Sequence, residues 1–135
     1  MIASSQGNAE LELELPSEPT SVRVARHAVA AVARTCGAPE ADVKLAVSEA
    51  VSNAVTHAFR DRDPGKIMVG ARVDRGKLLV TIADDGSGMR PNLDSKGLGL
   101  GISLITKLAG DVRFDSSERG LTVSMSFATS EVATA

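Results

Sequence analysis

The spacing of hydrophobic residues predicts two helices in the first half of the chain. Between residues 43 and 59 apolar side chains recur at intervals of three and four, which is typical of a helix with one buried face. An earlier helix is predicted to begin at a cap formed by Thr20 or Ser21 and to end near Cys36, before Gly37. The apolar stripe of the later helix consists of Val43, Ala46, Val47, Ala50, Val51, Ala54, Val55 and Ala58.

Alternation of apolar and polar residues predicts five strands, at 10–15, 66–74, 77–84, 111–115 and 121–127. Arg75 and Gly76 form a plausible tight hairpin turn between the second and third strands, and a short helix is predicted at 102–109. Helices and strands do not alternate regularly along the chain. We therefore predict an α/β (α+β) two-layer sandwich, with a mixed, mostly antiparallel sheet and helices on one face.

Length and composition favour one domain with a substantial core. The chain has 135 residues, of which 43% are hydrophobic. The polar ends lack periodic patterns, so the domain is predicted to cover residues 9–128, with flexible ends at 1–8 and 129–135.

Charge and residue types exclude several classes of function. The net charge of −2 and the absence of Trp and Tyr give no basis for nucleic-acid binding. The single cysteine, Cys36, excludes an internal disulfide and suits a reducing compartment. We find neither a signal-peptide pattern nor an apolar run long enough to span a membrane, so a cytoplasmic location is expected.

A line of polar residues crosses the apolar pattern of the second helix. Glu49, Asn53 and His57 are four residues apart, so they project from one side of the helix. Glu49 has no Lys or Arg three or four residues away. Spacing alone leaves two interpretations open, namely a polar edge beside a core helix or part of a functional site.

Two glycine-rich segments follow the predicted strand 77–84. Asp84 ends that strand, and its carboxylate can accept a hydrogen bond from an exocyclic amine such as that of adenine. Gly86 and Gly88 let the backbone approach a flat ring closely, although an ordinary Asp-Gly turn has the same letters.

The second glycine segment opens the predicted helix at 102–109. Gly97, Gly99 and Gly101 expose backbone N–H groups at a helix start, where the helix dipole favours an anion; a flexible hinge is the alternative. The dinucleotide and Walker patterns and the serine-hydrolase elbow all fail to match. His27 and His57 with one cysteine do not form a zinc site.

The three segments together resemble the GHKL ATPase superfamily, whose members share the Bergerat ATP-binding fold. The order is E-x-x-x-N on a helix, D-x-G-x-G after a strand and G-x-G-x-G before a helix, and the match covers roughly residues 10–128. The short length, SEAVSNAVTHAF and GLTVSMSF are most similar to the anti-sigma-factor serine/threonine protein kinases of that superfamily.

The resemblance implies ATP and Mg²⁺ as ligands and assigns roles at both ends of the nucleotide. Glu49 would be the catalytic base, which takes a proton from the attacking hydroxyl, and Asn53 would bind Mg²⁺ through its side-chain oxygen. Asp84 would hold the adenine amino group, and Thr122 would be a further ATP-binding residue that supports the Asp84 end. The remaining ATP-binding residues would be Gly86 and Gly88 at the adenine, with Lys96, Gly97, Gly99 and Gly101 at the phosphates and residues 89–96 as a lid.

The resemblance also implies partners. Such a kinase would hold a sigma factor inactive and phosphorylate a serine of a STAS-type anti-anti-sigma protein, with a homodimer through the first strand and helix. The lid departs from the pattern, because related kinases often carry an arginine where this chain has Ser95 and Lys96. Two alternatives are an ATP-binding interaction module without kinase activity and an ATPase fragment of a larger machine.

The first helix carries a cluster of basic residues on its outer side. Arg23, Arg26, His27 and Arg34 lie away from its apolar stripe. They form either a solvated face or a docking surface for an acidic partner.

Overall fold

A computed structural model describes residues 10–58, 65–85, 104–117 and 120–130 of the chain. It contains one five-stranded sheet in the order β1-β2-β3-β5-β4, and every strand pair in these ranges is antiparallel. Two long helices pack against the sheet, so the predicted two-layer sandwich is confirmed. In chain order the elements are β1 (Leu11–Pro16), α1 (Thr20–Cys36), α2 (Glu40–Ala58), β2 (Lys66–Asp74), β3 (Lys77–Asp84), β4 (Asp111–Ser117) and β5 (Gly120–Ala128).

The core lies between the helices and one face of the sheet. Ile67, Val69 and Ala71 of β2 alternate with exposed or half-buried neighbours and are at most 2% exposed. The same period of two holds on β3 and β5, so the inner residues of three adjacent strands meet the apolar stripes of the helices. Truncation of a fully buried residue such as Ile67 to alanine is expected to cost about 2–5 kcal/mol of stability.

The start of α1 differs from the expectation that Thr20 or Ser21 caps it. Pro19, which precedes the helix, already has helical φ and ψ, and no side chain caps the first turn. The Ser21 hydroxyl is instead buried and donates to the Pro16 carbonyl oxygen at 2.6 Å, which fixes the link from β1 to α1. The predicted end is confirmed, since Gly37 adopts φ 75° and its N–H reaches the Ala33 carbonyl.

Helix α2 begins at Glu40 rather than near residue 43. Glu40 and Asp42 place negative charge in its first turn, where the helix dipole favours it. Arg34 at the end of α1 forms an ion pair with Glu40 at 2.8 Å. The hydrogen bond from Arg34 is the main cause that lowers the pKa of the Glu40 carboxyl.

The hairpin and residues 129–130 lie at one end of the sheet. Arg75 and Gly76 have φ of 51° and 79°, as expected of a tight turn between twisted strands. The Thr129 N–H donates to Gly76 and the Ser130 N–H donates to Gly37. The flexible tail was predicted to start at residue 129, but these two residues are held in place. Residues 131–135 lie outside the described ranges.

Candidate functional site

One end of the sheet gathers the residues of interest. There β1 ends at Pro16, β2 begins at Lys66, β3 ends at Asp84 and β5 begins at Gly120. We call this the site end of the sheet. Ile67 of β2 pairs with Asp84 of β3 in the strand register, so the predicted adenine-binding carboxylate stands beside a fully buried apolar residue.

Helix α2 runs toward the site end. Its first turn follows Gly37, which bonds to Ser130 at the opposite end of the sheet, and its last residue, Ala58, leads through 59–64 to Lys66 at the site end. Asn53 therefore lies in the half of the helix that approaches Asp84, and Glu49 lies at the midpoint of the helix.

Glu49 and Asn53 are both half-buried beside the fully buried stripe of α2. They are separated by one helical turn, an axial rise of about 6 Å. Neither residue belongs to the core or to the fully exposed surface. Half-burial is compatible with both interpretations of this line, a polar edge beside the core or part of a functional site. The side chain of His57, the third residue of the line, lies outside the described set.

Gly120 packs directly against Asp84 and was missed in the sequence. Its φ is +136°, and a Cβ placed on it would collide with the Asp84 carbonyl oxygen and lie 2.8 Å from the carboxylate oxygen Oδ1. Only glycine therefore allows β5 to start so close to the end of β3. In the sequence, Gly120 stands directly before a strongly alternating strand, but a glycine in that position is also typical of an ordinary turn.

We expect Gly120→Ala to lower the free energy of unfolding by about 1–3 kcal/mol and to displace the Asp84 carboxylate, because both the backbone angle and the space exclude a methyl group. Urea unfolding measures this loss. Gly110→Ala is the matched control, since its nearest atom beyond the chain neighbours would be the Ser126 carbonyl oxygen at an ordinary 3.5 Å. Equal stability of the two variants would contradict the assigned role of Gly120.

Asp85 has a structural task that separates it from Asp84. Its carboxylate Oδ1 accepts a hydrogen bond from the Lys66 N–H at 2.8 Å, and its own N–H donates to the Lys66 carbonyl at 3.2 Å. Gly65 leaves the space that this carboxylate occupies. Asp85 therefore stabilises the start of β2 through its hydrogen bonds to the backbone of Lys66.

Lys66 directs its ammonium group away from this pair, to Glu14 of β1 at 2.8 Å. The hydrogen bond to Glu14 is the main cause that raises the pKa of Lys66, and the charge of Asp85 adds a smaller contribution. Both Lys66 and Glu14 are well exposed, so this pair contributes little to stability.

Thr122, which was predicted to support the Asp84 end of the site, lies opposite Ala83 on β5. Thr122 pairs with Ala83, so its side chain shares a face with Ala83, and both line a groove of about 510 Å³ on the face of the sheet that lies away from α1 and α2. Asp84 is the next residue along β3 and points to the opposite face. This register does not favour a direct contact between the side chains of Thr122 and Asp84, and the role of Thr122 in ATP binding stays a prediction.

The remaining predicted residues lie outside the described ranges. They are Gly86, Gly88, Lys96, Gly97, Gly99 and Gly101, together with the lid at 89–96. Their roles stay predictions from the sequence. The structure thus directs α2 toward the end of the sheet where Asp84 lies and places Thr122 on the other face.

The described residues fit a magnesium-bound nucleotide. Asp84 offers a hydrogen-bond acceptor for an amino group and lies beside the apolar residue Ile67. The backbone of Gly120 packs closely against Asp84. Asn53 offers an amide oxygen, which is a suitable ligand for Mg²⁺. Within the described ranges, no helix is long and apolar enough to cross a membrane.

Comparison with known proteins shows the family of the chain. The family model described as the histidine kinase-like ATPase domain matches residues 15–127. The serine-protein kinase RsbW of Bacillus velezensis is 32% identical over 133 residues, covering 85% of this chain and 82% of that protein. The RsbW of Listeria monocytogenes serotype 4a is also 32% identical, over 86% of this chain and 85% of its own length.

Solved structures show the same fold. The RsbU and RsbW domains of a Mycobacterium tuberculosis protein match with a TM-score of 0.67 at 23% identity, over 88% of this chain and 32% of that one. A histidine kinase domain from Erythrobacter litoralis matches with a TM-score of 0.58 at 31% identity, over 70% of this chain and 46% of that one. The chain therefore belongs to the histidine kinase-like ATPase domain family and, within it, to the group of serine-protein kinases named RsbW.

Proposed function

We propose that the protein is an anti-sigma factor with serine-protein kinase activity. It would bind Mg-ATP, hold a sigma factor inactive and phosphorylate a serine of a STAS-type anti-anti-sigma protein in the cytoplasm. The observation that carries the proposal is the arrangement of Glu49, Asn53 and Asp84, with the second half of α2 directed to the end of β3 where Gly120 packs on Asp84. Similarity to proteins named serine-protein kinase RsbW supports it.

The described residues are assigned to different parts of the nucleotide. Asp84 accepts the hydrogen bond of the adenine amino group, and Asn53 provides a side-chain oxygen for Mg²⁺. The metal, when bound, neutralises charge on the phosphate oxygens. Gly86, Gly88, Lys96, Gly97, Gly99 and Gly101 complete the proposed site on the basis of the sequence.

Glu49 is assigned the proton transfer. Its carboxylate takes the proton of the serine hydroxyl while the serine oxygen forms a bond to the γ-phosphorus and the bond from phosphorus to the ADP oxygen breaks. Asn53 is one turn further along α2, so Glu49 lies near the phosphate end rather than the adenine end. Binding and chemistry should therefore be separable by mutation.

The second candidate is an ATP-binding interaction module without kinase activity. One observation favours it, namely Lys96 where related kinases often carry an arginine. Lysine can neutralise phosphate charge but lacks the bidentate fork of arginine. Purified protein incubated with labelled ATP and candidate partner proteins distinguishes the two, since only the kinase leaves labelled phosphate on a partner serine.

The outer face of α1 is the proposed docking surface for a partner. The helix contains no acidic residue, and Arg23 and Val24 are exposed near its start. A cation near a helix N-terminus is unfavourable by roughly 0.3–1 kcal/mol. Among the described residues, no ion pair compensates Arg23 or Arg26, whereas Arg34 is paired with Glu40. An acidic partner surface would satisfy these charges.

We expect the double variant Arg23→Ala, Arg26→Ala to bind the sigma factor about tenfold more weakly and with a weaker salt dependence, because charge complementarity is lost. Surface plasmon resonance at two salt concentrations measures both effects. Arg113→Ala, an exposed arginine of β4, is the control and should bind normally. Unchanged binding by the double variant would remove α1 from the interface. The predicted homodimer through β1 and α1 is a separate proposal.

A further inference from the structure

Strand alternation places Leu121 on the face where Asp84 lies. The ladder between β3 and β5 pairs Ala83 with Thr122, and one antiparallel step further brings Asp84 opposite Leu121. The close approach of Gly120 to the Asp84 carbonyl agrees with that register. Asp84 thus has Ile67 as its neighbour on one side and Leu121 on the other.

The two apolar neighbours differ in exposure. Ile67 is 0% exposed and belongs to the core, whereas Leu121 is half-buried and packs against the edge of that core. Leu121 therefore keeps part of an apolar side chain accessible next to the carboxylate assigned to adenine. A flat base held at that carboxylate by its amino group would meet this side chain.

We propose that Leu121 is a base-contacting residue, which packs on the purine while Asp84 accepts the hydrogen bond of its amino group. This inference depends on the proposed ATP binding. A leucine side chain cannot donate or accept a hydrogen bond, so its contact strengthens binding of any purine equally. Selection for the amino group then rests with Asp84.

The test compares the affinities of two nucleotides by calorimetry, in the presence of Mg²⁺. ATP carries the exocyclic amino group, and purine riboside triphosphate lacks it. Leu121→Ala should lower the affinities for ATP and for purine riboside triphosphate by about the same factor, roughly tenfold, because the substitution removes apolar contact alone. Asp84→Asn should weaken ATP much more than the purine analogue. Leu121→Met, which retains apolar contact, should stay within about threefold of the wild type for both nucleotides.

Ser124→Ala is the matched control on the opposite face of the same strand, where Ser124 pairs with Thr81, and it should bind both nucleotides as the wild type does. Since Leu121 also packs against the core, thermal unfolding is recorded for every variant. Leu121→Val, which suits a strand, replaces the alanine variant if that one does not fold, with an expected loss of about threefold.

Wild-type affinity in the folded Leu121→Ala or Leu121→Val variant would overturn the inference while leaving the proposed function intact. An equal loss in Ser124→Ala would overturn it as well, because the effect would then not depend on the face of β5 that carries Leu121. A wild-type protein that binds no ATP would instead refute the proposed function, and the inference with it.

Discussion

Replacement of Glu49 by glutamine is expected to slow phosphoryl transfer to the partner serine by ~10²–10⁴-fold, which is the usual contribution of a general base. The amide keeps the size and half-buried position of the side chain but cannot take the proton. Because Glu49 is assigned to the phosphate end, the affinities for Mg-ATP and for the sigma factor should stay close to those of the wild type. A phosphotransfer time course beside nucleotide titrations measures both properties.

Asn53→Ala is the comparison that shows whether binding and chemistry separate. It removes the proposed metal ligand one turn from Glu49, so it should reduce Mg²⁺-dependent ATP binding itself. Near-normal transfer by Glu49→Gln would remove Glu49 from the mechanism. Loss of ATP affinity in Glu49→Gln as large as in Asn53→Ala would indicate that Glu49 holds the nucleotide instead.

Asp84→Asn is expected to weaken ATP binding by one to two decades. The substitution preserves the side-chain shape beside Gly120 and replaces a charged acceptor with a neutral amide. A charge-assisted hydrogen bond is worth roughly 1.5–3 kcal/mol, which corresponds to that change in affinity. Isothermal titration calorimetry with Mg-ATP measures it directly.

Asp85→Asn serves as the neighbouring control. The asparagine amide oxygen can still accept the hydrogen bond from the Lys66 N–H, so the start of β2 should keep this bond. The affinity for ATP should therefore change little. Wild-type affinity in Asp84→Asn, or a larger loss in Asp85→Asn, would assign the adenine amino group to a different residue.

The framework of the fold could be predicted from the sequence because its patterns are local and strong. Strands β2 and β3 have the predicted bounds, since alternation is regular and Arg75-Gly76 fits a tight hairpin turn. The start of α1 could not be predicted correctly. The pattern offered two plausible caps, but the Ser21 hydroxyl bonds to Pro16, a contact that depends on how the chain leaves β1.

In the candidate site, too, the sequence predicts features that depend on local spacing but not those that depend on how distant segments pack together. Helical spacing predicts that Glu49 and Asn53 share a side of α2, and the structure leaves both half-buried beside the core. Thr122 was assigned to the Asp84 end from its position in a motif, whereas the face that its side chain shares with Ala83 follows only from the strand register. The role of Gly120 depends on the close approach of β5 to β3, and no single segment of the sequence predicts that approach.

The central claim is that this domain transfers the γ-phosphate of ATP to a serine of a partner protein. The most direct measurement incubates the wild-type protein and Asp84→Asn with γ-labelled Mg-ATP and the STAS-type anti-anti-sigma proteins of the same cell, and locates the label by mass spectrometry. We predict label on a single partner serine with the wild-type protein and far less with the variant. A wild-type protein that binds Mg-ATP but labels no partner would contradict the kinase account and leave the ATP-binding module.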